Sequence, residues 1–247
     1  MDTEHPPVAL VTGGARRVGA AIARALHAAG YDLALHYRHS AGDADALIAE
    51  LERARPGSTL GVQADLADLA QLPALVERVT ARFGRLDALV NNASAFHPTP
   101  IGSATPAQWN ELFASNAQAP FFLVQAAWPA LREARGAVVN LVDIYAERAL
   151  PGHPIYVMAK AALAAMTRTL AQDLAPQVRV NGVAPGAVMW PAEGKDYADR
   201  EALLARTPLQ RAGTPEDVAS AVLWLLRDAP FVTGQIIRVD GGRTLTV

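Results

Sequence analysis

Short apolar runs rich in Val, Leu and Ala recur along the chain, and longer Ala/Leu-rich stretches at helical spacing separate them. This alternation restricts the fold more than any other feature. Val8–Thr12, Leu33–Tyr37, Leu60–Ala64, Ala88–Asn91, Ala137–Val142, Arg179–Val183 and Ile236–Val239 read as strands. Val18–Ala29, Asp43–Ala54, Ala70–Phe83, Pro106–Arg135, Ile155–Leu174 and Pro215–Leu226 read as helices, the fourth long enough to break. Strands alternating with helices connect by right-handed crossovers, so the sheet is parallel and covered on both faces. The expectation is an α/β fold: a single Rossmann-type, doubly wound domain over residues 1–247, with about seven strands. No linker or internal repeat divides the chain.

Composition narrows the partners. The formal charge is −2, from 22 Lys+Arg against 24 Asp+Glu, which leaves no cationic excess for a nucleic-acid backbone. There is no cysteine, which excludes disulfides, thiolate nucleophiles and Cys-ligated metals. Six scattered His show no metal-binding spacing, so no metal is expected. The N-terminus lacks a basic flank and apolar run, and no stretch reaches the ~18 apolar residues of a membrane span. A soluble, cytoplasmic protein with a small-molecule partner, without nucleic acid or membrane, is expected.

Val8-Ala9-Leu10-Val11-Thr12-Gly13-Gly14-Ala15-Arg16-Arg17-Val18-Gly19 runs from buried strand through a small-residue turn into a helix. Glycines let backbone come close, and the helix N-terminus offers N–H groups to a pyrophosphate. A tight turn without a ligand would look the same in isolation. Tyr156 and Lys160, four apart, share a helix face. A phenol is a poor acid–base group at neutral pH unless a cation favours its phenolate, and Lys160 is placed to be that cation. The alternative is an ordinary surface pair. Of 22 basic residues only Lys160 and Lys195 are lysine, which favours a purpose for the compact ammonium.

These segments appear in order with Asn91-Asn92-Ala93-Ser94, Asn116 and Pro185-Gly186, and the whole chain resembles the short-chain dehydrogenase/reductase family. The resemblance implies a nicotinamide cofactor held by Gly13, Arg16, Arg17, Val18, Gly19, Asp65, Leu66, Asn92, Ala93, Ser94, Tyr156, Lys160, Pro185 and Gly186. It also implies that Lys160 holds the nicotinamide ribose, that Asn116 supports a proton relay, and that the protein is a homotetramer. Pro106–Arg135 and Ile155–Leu174 are the candidate interfaces.

Two residues depart from the common pattern. Thirteen before Tyr156, where the family usually has Ser, stands Asp143, and no Ser or Thr occurs from 117 to 166. An ionised carboxylate there would repel the alkoxide formed from a ketone, whereas a carboxylic acid suits protonation of a ring nitrogen. A strand-end Asp that merely caps a turn is the plainer reading. Arg17 replaces the usual middle glycine, where its guanidinium can reach phosphate oxygens and a bound substrate, or can simply be solvated.

Together the departures resemble the pteridine reductases within that family, and this resemblance makes His36-Tyr37-Arg38-His39-Ser40, the HY-plus-basic segment after the second strand, cofactor-binding. This resemblance implies that Phe96 stacks a pterin against the nicotinamide, with Arg17, Ser94, Asp143 and Tyr156 around it. Phe96 could instead plug the core. The second strand ends without a carboxylate before Asp43, so the expected cofactor is NADPH, its 2′-phosphate held by Arg38, His39 or Ser40. Gly186–Thr207 is irregular and follows a strand; it reads as a substrate-covering loop or a plain surface excursion. Rival functions are a short-chain carbonyl reductase acting on a ketone such as a 3-oxoacyl thioester, and a non-catalytic NADPH sensor.

Overall fold

The computed structural model describes residues 5–188 and 204–246. In chain order its main elements are β1 (Val8–Val11), α1 (Arg17–Ala28), β2 (Asp32–Tyr37), α2 (Ala41–Ala54), β3 (Thr59–Gln63), α3 (Gln71–Phe83) and β4 (Ala88–Asn91). There follow α4 (Pro106–Phe113), α5 (Ala119–Ala134), β5 (Ala137–Leu141), α6 (Pro154–Asp173), β6 (Arg179–Pro185), α7 (Pro215–Arg227) and β7 (Ile236–Val239). All seven strands pair parallel in the order β3-β2-β1-β4-β5-β6-β7. This is the doubly wound α/β sheet that the alternating pattern predicts.

The strands lie between two helical layers, which is why their sequences are apolar without a gap: all four residues of β1 and all five of β5 are buried. Ile22, Leu26, Leu47, Leu51, Val222 and Leu225 pack α1, α2 and α7 on one face. Leu72, Leu75, Leu123, Leu131 and Leu170 pack α3, α5 and α6 on the other. From β1 the chain winds outward to β3, then resumes at β4 on the opposite side of β1. The winding therefore reverses between β1 and β4, and the loops after these strands lie at the C-terminal edge where open α/β sheets bind ligands.

Strand limits differ from expectation by a residue or two: β3 spans Thr59–Gln63, and β6 runs on to Pro185. The long fourth helix does break. Thr105 and Gln108 close a reciprocal cap on α4, and a π-helical stretch, Ala114–Gln118, separates α4 from α5. Pro120 lacks the N–H that would bond the Asn116 carbonyl, so a widened turn is the natural response to it. Of the expected covering loop only Gly186–Val188 and Leu204–Thr207 are described; positions 189–203 lie outside the described residues.

Candidate active site

The crevice begins at the loop after β1. Gly13 takes φ +59°, and a Cβ on it would sit 3.1 Å from the Ala93 Cα. A Cβ on Gly19 would lie 2.1 Å from the Gly13 carbonyl oxygen, so only glycine lets α1 start this close to the loop. Thr12 Oγ1 accepts from the Asn92 and Ala93 N–H groups at 2.9 and 3.0 Å, and Asn92 Nδ2 donates to the Thr12 and Gly13 carbonyls. The ends of β1 and β4 are thus laced together. At its start α1 has no acidic residue in the first turn and no side-chain cap. That leaves its positive dipole end to an anion, as a dinucleotide pyrophosphate requires.

Arg17 opens α1 at φ +51°, with its side chain exposed. Arg16 lies 3.6 Å from Asp43 at the surface, and Val18 packs partly against the core. His36 is buried beneath the loop and bonds to it with its ring. Further out, Arg38 Nε is 3.3 Å from Asp65 Oδ2. A carboxylate therefore does stand by the end of β2, contributed from beyond β3, where the Tyr37–Ser40 segment itself carries none. His39 is exposed, and the Ser40 hydroxyl does not cap α2. Tyr37 is half-buried and pairs with Gln63 in register, while Leu66 is buried in the α3–α5 side of the core. At the other end of the crevice Pro185 closes β6. The Gly186 N–H donates to the Val239 carbonyl, and a Cβ there would meet Asp240.

The chemistry-bearing groups gather where β4 and β5 end against α6. Pro154 starts α6, which places Tyr156 in its first turn, 4% exposed. The phenol donates to Asp143 Oδ2 at 2.7 Å, while Asp143 Oδ1 accepts from the Tyr145 N–H at 2.9 Å. Asp143 thus caps the turn that follows it and binds the tyrosine. Burial, then the Asp143 charge and hydrogen bond, hold the Tyr156 phenol well above its ordinary range; the Ser94 hydroxyl opposes them.

Lys160, one turn further along α6, is 3% exposed and donates to the Leu141 carbonyl at 2.8 Å. Burial pulls its ammonium down to about 8, against the upward effect of Asp143. The expected preference for a phenolate is not met. Lys160 Nζ stands 5.8 Å from the Tyr156 ring centroid, and the phenol's nearest charged partner is an acid.

Asn116 occupies the π-helical turn, where Nδ2 donates to the Ala95 and Leu112 carbonyls and Oδ1 accepts from Ser94 Oγ at 2.7 Å. The helix defect therefore aims Asn116 at the loop after β4. Phe96 is 36% exposed, so it does not plug the core. It meets Tyr156 edge-on at 4.7 Å and stacks on His153 at the same distance.

Two features escaped sequence reasoning. His153, just before α6 and one turn ahead of Tyr156, covers a face of Phe96; its place beside Pro154 was the available signal. The second is a buried polar chain: Asn91 Nδ2 donates to Asn140 Oδ1, and Asn140 Nδ2 donates to Thr167 Oγ1, both at 2.9 Å. Asn91 and Asn140 are register partners, so this chain ties β4, β5 and α6 together under the site. No group of His, Asp or Glu able to hold a metal occurs among the described residues, and none of their helices is long and apolar enough to cross a membrane.

Comparison with known proteins agrees with this geometry. A family model described as Enoyl-(Acyl carrier protein) reductase matches residues 13–244. Pteridine reductase 1 of Leishmania tarentolae is 40% identical over 281 aligned residues, covering 97% of each chain. A 3-oxoacyl-[acyl-carrier-protein] reductase of Staphylococcus aureus is 34% identical over 243 residues, covering 95% of this chain and 96% of its own. An uncharacterised oxidoreductase of Methylorubrum extorquens is 38% identical over 243 residues, with the same coverage.

Proposed function

The chain belongs to the short-chain dehydrogenase/reductase family of oxidoreductases, and on that premise we propose that it is an NADPH-dependent pteridine reductase. The observation that carries this reading is the 2.7 Å hydrogen bond from the Tyr156 phenol to Asp143. A carboxylate at that place opposes the negative charge that grows on a ketone oxygen, but an acid–phenol pair can hold and pass a proton to a ring nitrogen. The 40% identity to a pteridine reductase supports the same reading.

The glycine loop and the uncapped start of α1 fit the pyrophosphate, with Gly13, Asn92, Ala93, Pro185 and Gly186 shaping the crevice. When bound, the nicotinamide supplies the hydride. Lys160 orients its ribose, and Arg38, with His39 and Ser40, meets the 2′-phosphate after giving up part of its attraction to Asp65. Phe96 offers an exposed ring for a flat pterin, and Arg17 and Ser94 supply polar contacts at its edge. Asp143 and Tyr156 share the proton that the reduced nitrogen takes up, with Asn116 fixing Ser94 beside the phenol. A homotetramer forms through α4, α5 and α6, where Trp109, Phe121 and Met158 are exposed.

A second reading, reduction of a ketone, is favoured by the Ser94 hydroxyl next to the phenol and by the 34% identity to a 3-oxoacyl reductase. Parallel assays of NADPH consumption with dihydrobiopterin, dihydromonapterin, dihydrofolate and an acetoacetyl thioester separate the two. Turnover of pterins alone is expected. Asp143→Asn should cut it by about 10² or more, the usual worth of a positioned acid–base group, with NADPH affinity unchanged. Turnover of the thioester alone, or full pterin activity in that variant, would overturn the reading.

A further inference from the structure

His36 is the one ionisable residue in an otherwise apolar stretch of β2, where Leu33, Ala34 and Leu35 are fully buried and the imidazole is 2% exposed. Both ring nitrogens are engaged. Nδ1 accepts from the Gly13 N–H at 3.2 Å, so it carries no proton, and Nε2–H therefore donates to the Ala64 carbonyl at 3.1 Å. The His36 carbonyl also accepts from the Gly14 N–H at 2.9 Å. One residue thus grips two consecutive amides of the glycine loop and braces them against the end of β3. Gly13 is held this way in its left-handed conformation, the shape on which the loop's approach to Ala93 depends.

A second proton on the ring would turn Nδ1 from acceptor to donor, pointing at another donor. The brace would become a clash inside a buried site, and the ring or the loop would have to move.

We propose that His36 is a positioning residue for the dinucleotide: a neutral imidazole strut that sets the loop for the pyrophosphate and releases it on protonation. This rests on the reading of the loop as a dinucleotide site. Among the elements packed around the ring, β1 (VALV) and β3 (TLGVQ) carry no ionisable side chain. On β2 itself Tyr37 and Arg38 follow. Arg16 and Arg17 of the loop and Glu77, Arg78 and Arg82 of α3 are exposed. The charge that reaches the imidazole is Asp65, which favours the cation, together with the Ala64 carbonyl; burial outweighs both and keeps the ring neutral. Release therefore belongs below neutral pH.

The test uses NADP⁺, which survives acid, and calorimetric affinities across pH for the wild type and His36→Asn. Asparagine keeps an acceptor near the Nδ1 position and does not titrate. The ratio of the two dissociation constants cancels the titration of the ligand's own phosphate. Wild type should lose up to about tenfold in affinity per pH unit below the His36 transition, relative to the variant. A ratio that does not change with pH would overturn the proposal. Nitrogen-detected spectra of the histidines in the cofactor-free protein provide a second readout. They should show His36 protonated at Nε2 and the Gly13 amide shifting with the same transition; the opposite tautomer would refute the strut. Absence of NADP⁺ binding at every pH, with the expected tautomer and coupled amide shift intact, would instead strike at the dinucleotide reading.

Discussion

Arg17 opens α1 at φ +51°, a region that costs an L-residue about 1–2 kcal/mol and that glycine enters freely. The pattern that the chain resembles commonly carries glycine here, and the +51° backbone at Arg17 is one that glycine would adopt without strain. Backbone strain of this kind clusters at ligand sites, which suits a guanidinium that meets a bound substrate. Arg17→Gly should therefore raise stability by about 1 kcal/mol while raising the pterin KM; thermal unfolding and steady-state kinetics measure the two. An unchanged KM would leave Arg17 without a substrate role. The spacing along the chain did bring Asp143 to Tyr156, 2.7 Å from its hydroxyl, because thirteen residues is a fixed step across the end of β5 into α6. Sequence reading failed on the phenol's proton, because that depends on burial and on where Lys160 Nζ ends up, bonded to the Leu141 carbonyl.

Whole elements are positioned by a few polar side chains. Arg179, the first residue of β6, donates to the Leu225 and Leu226 carbonyls in the last turn of α7 and to the Ala229 carbonyl just beyond it. The last-turn carbonyls of a helix lack partners within it, and a cation there also meets the negative end of the helix dipole. Arg179→Ala should cost about 3 kcal/mol, since charge-assisted bonds of this kind count for more than neutral ones. Denaturant unfolding gives the value, and hydrogen exchange should localise the loss to the last turn of α7. A change below about 0.5 kcal/mol would mean that water replaces the guanidinium without cost. The break between α4 and α5 could be anticipated from Pro120. Its consequence could not, since the direction in which the π-helical turn sends Asn116 is fixed by the Ala95 and Leu112 carbonyls it bonds.

Across the whole molecule, the order β3-β2-β1-β4-β5-β6-β7 puts the reversal of winding between β1 and β4, and both halves of the site meet there. The face formed by α4, α5 and α6 lies next to that site and exposes Trp109, Phe121 and Met158. Sedimentation velocity should find a tetramer, and Phe121→Glu combined with Trp109→Glu should yield smaller species; a wild-type monomer would refute the assembly. Legible along the chain were the class of fold, the strands and helices to within a residue or two, and the meeting of Asp143 with Tyr156. Those follow from local periodicity, glycine and proline chemistry, and short fixed spacings. Not legible there were the approach of Asp65 to Arg38, the cover that His153 gives a face of Phe96, and the brace of His36 under Gly13. Each of these joins residues from separate strands or loops. Contacts of that kind are set by how the sheet stacks and by what is buried, and neither has a period that can be read along the chain.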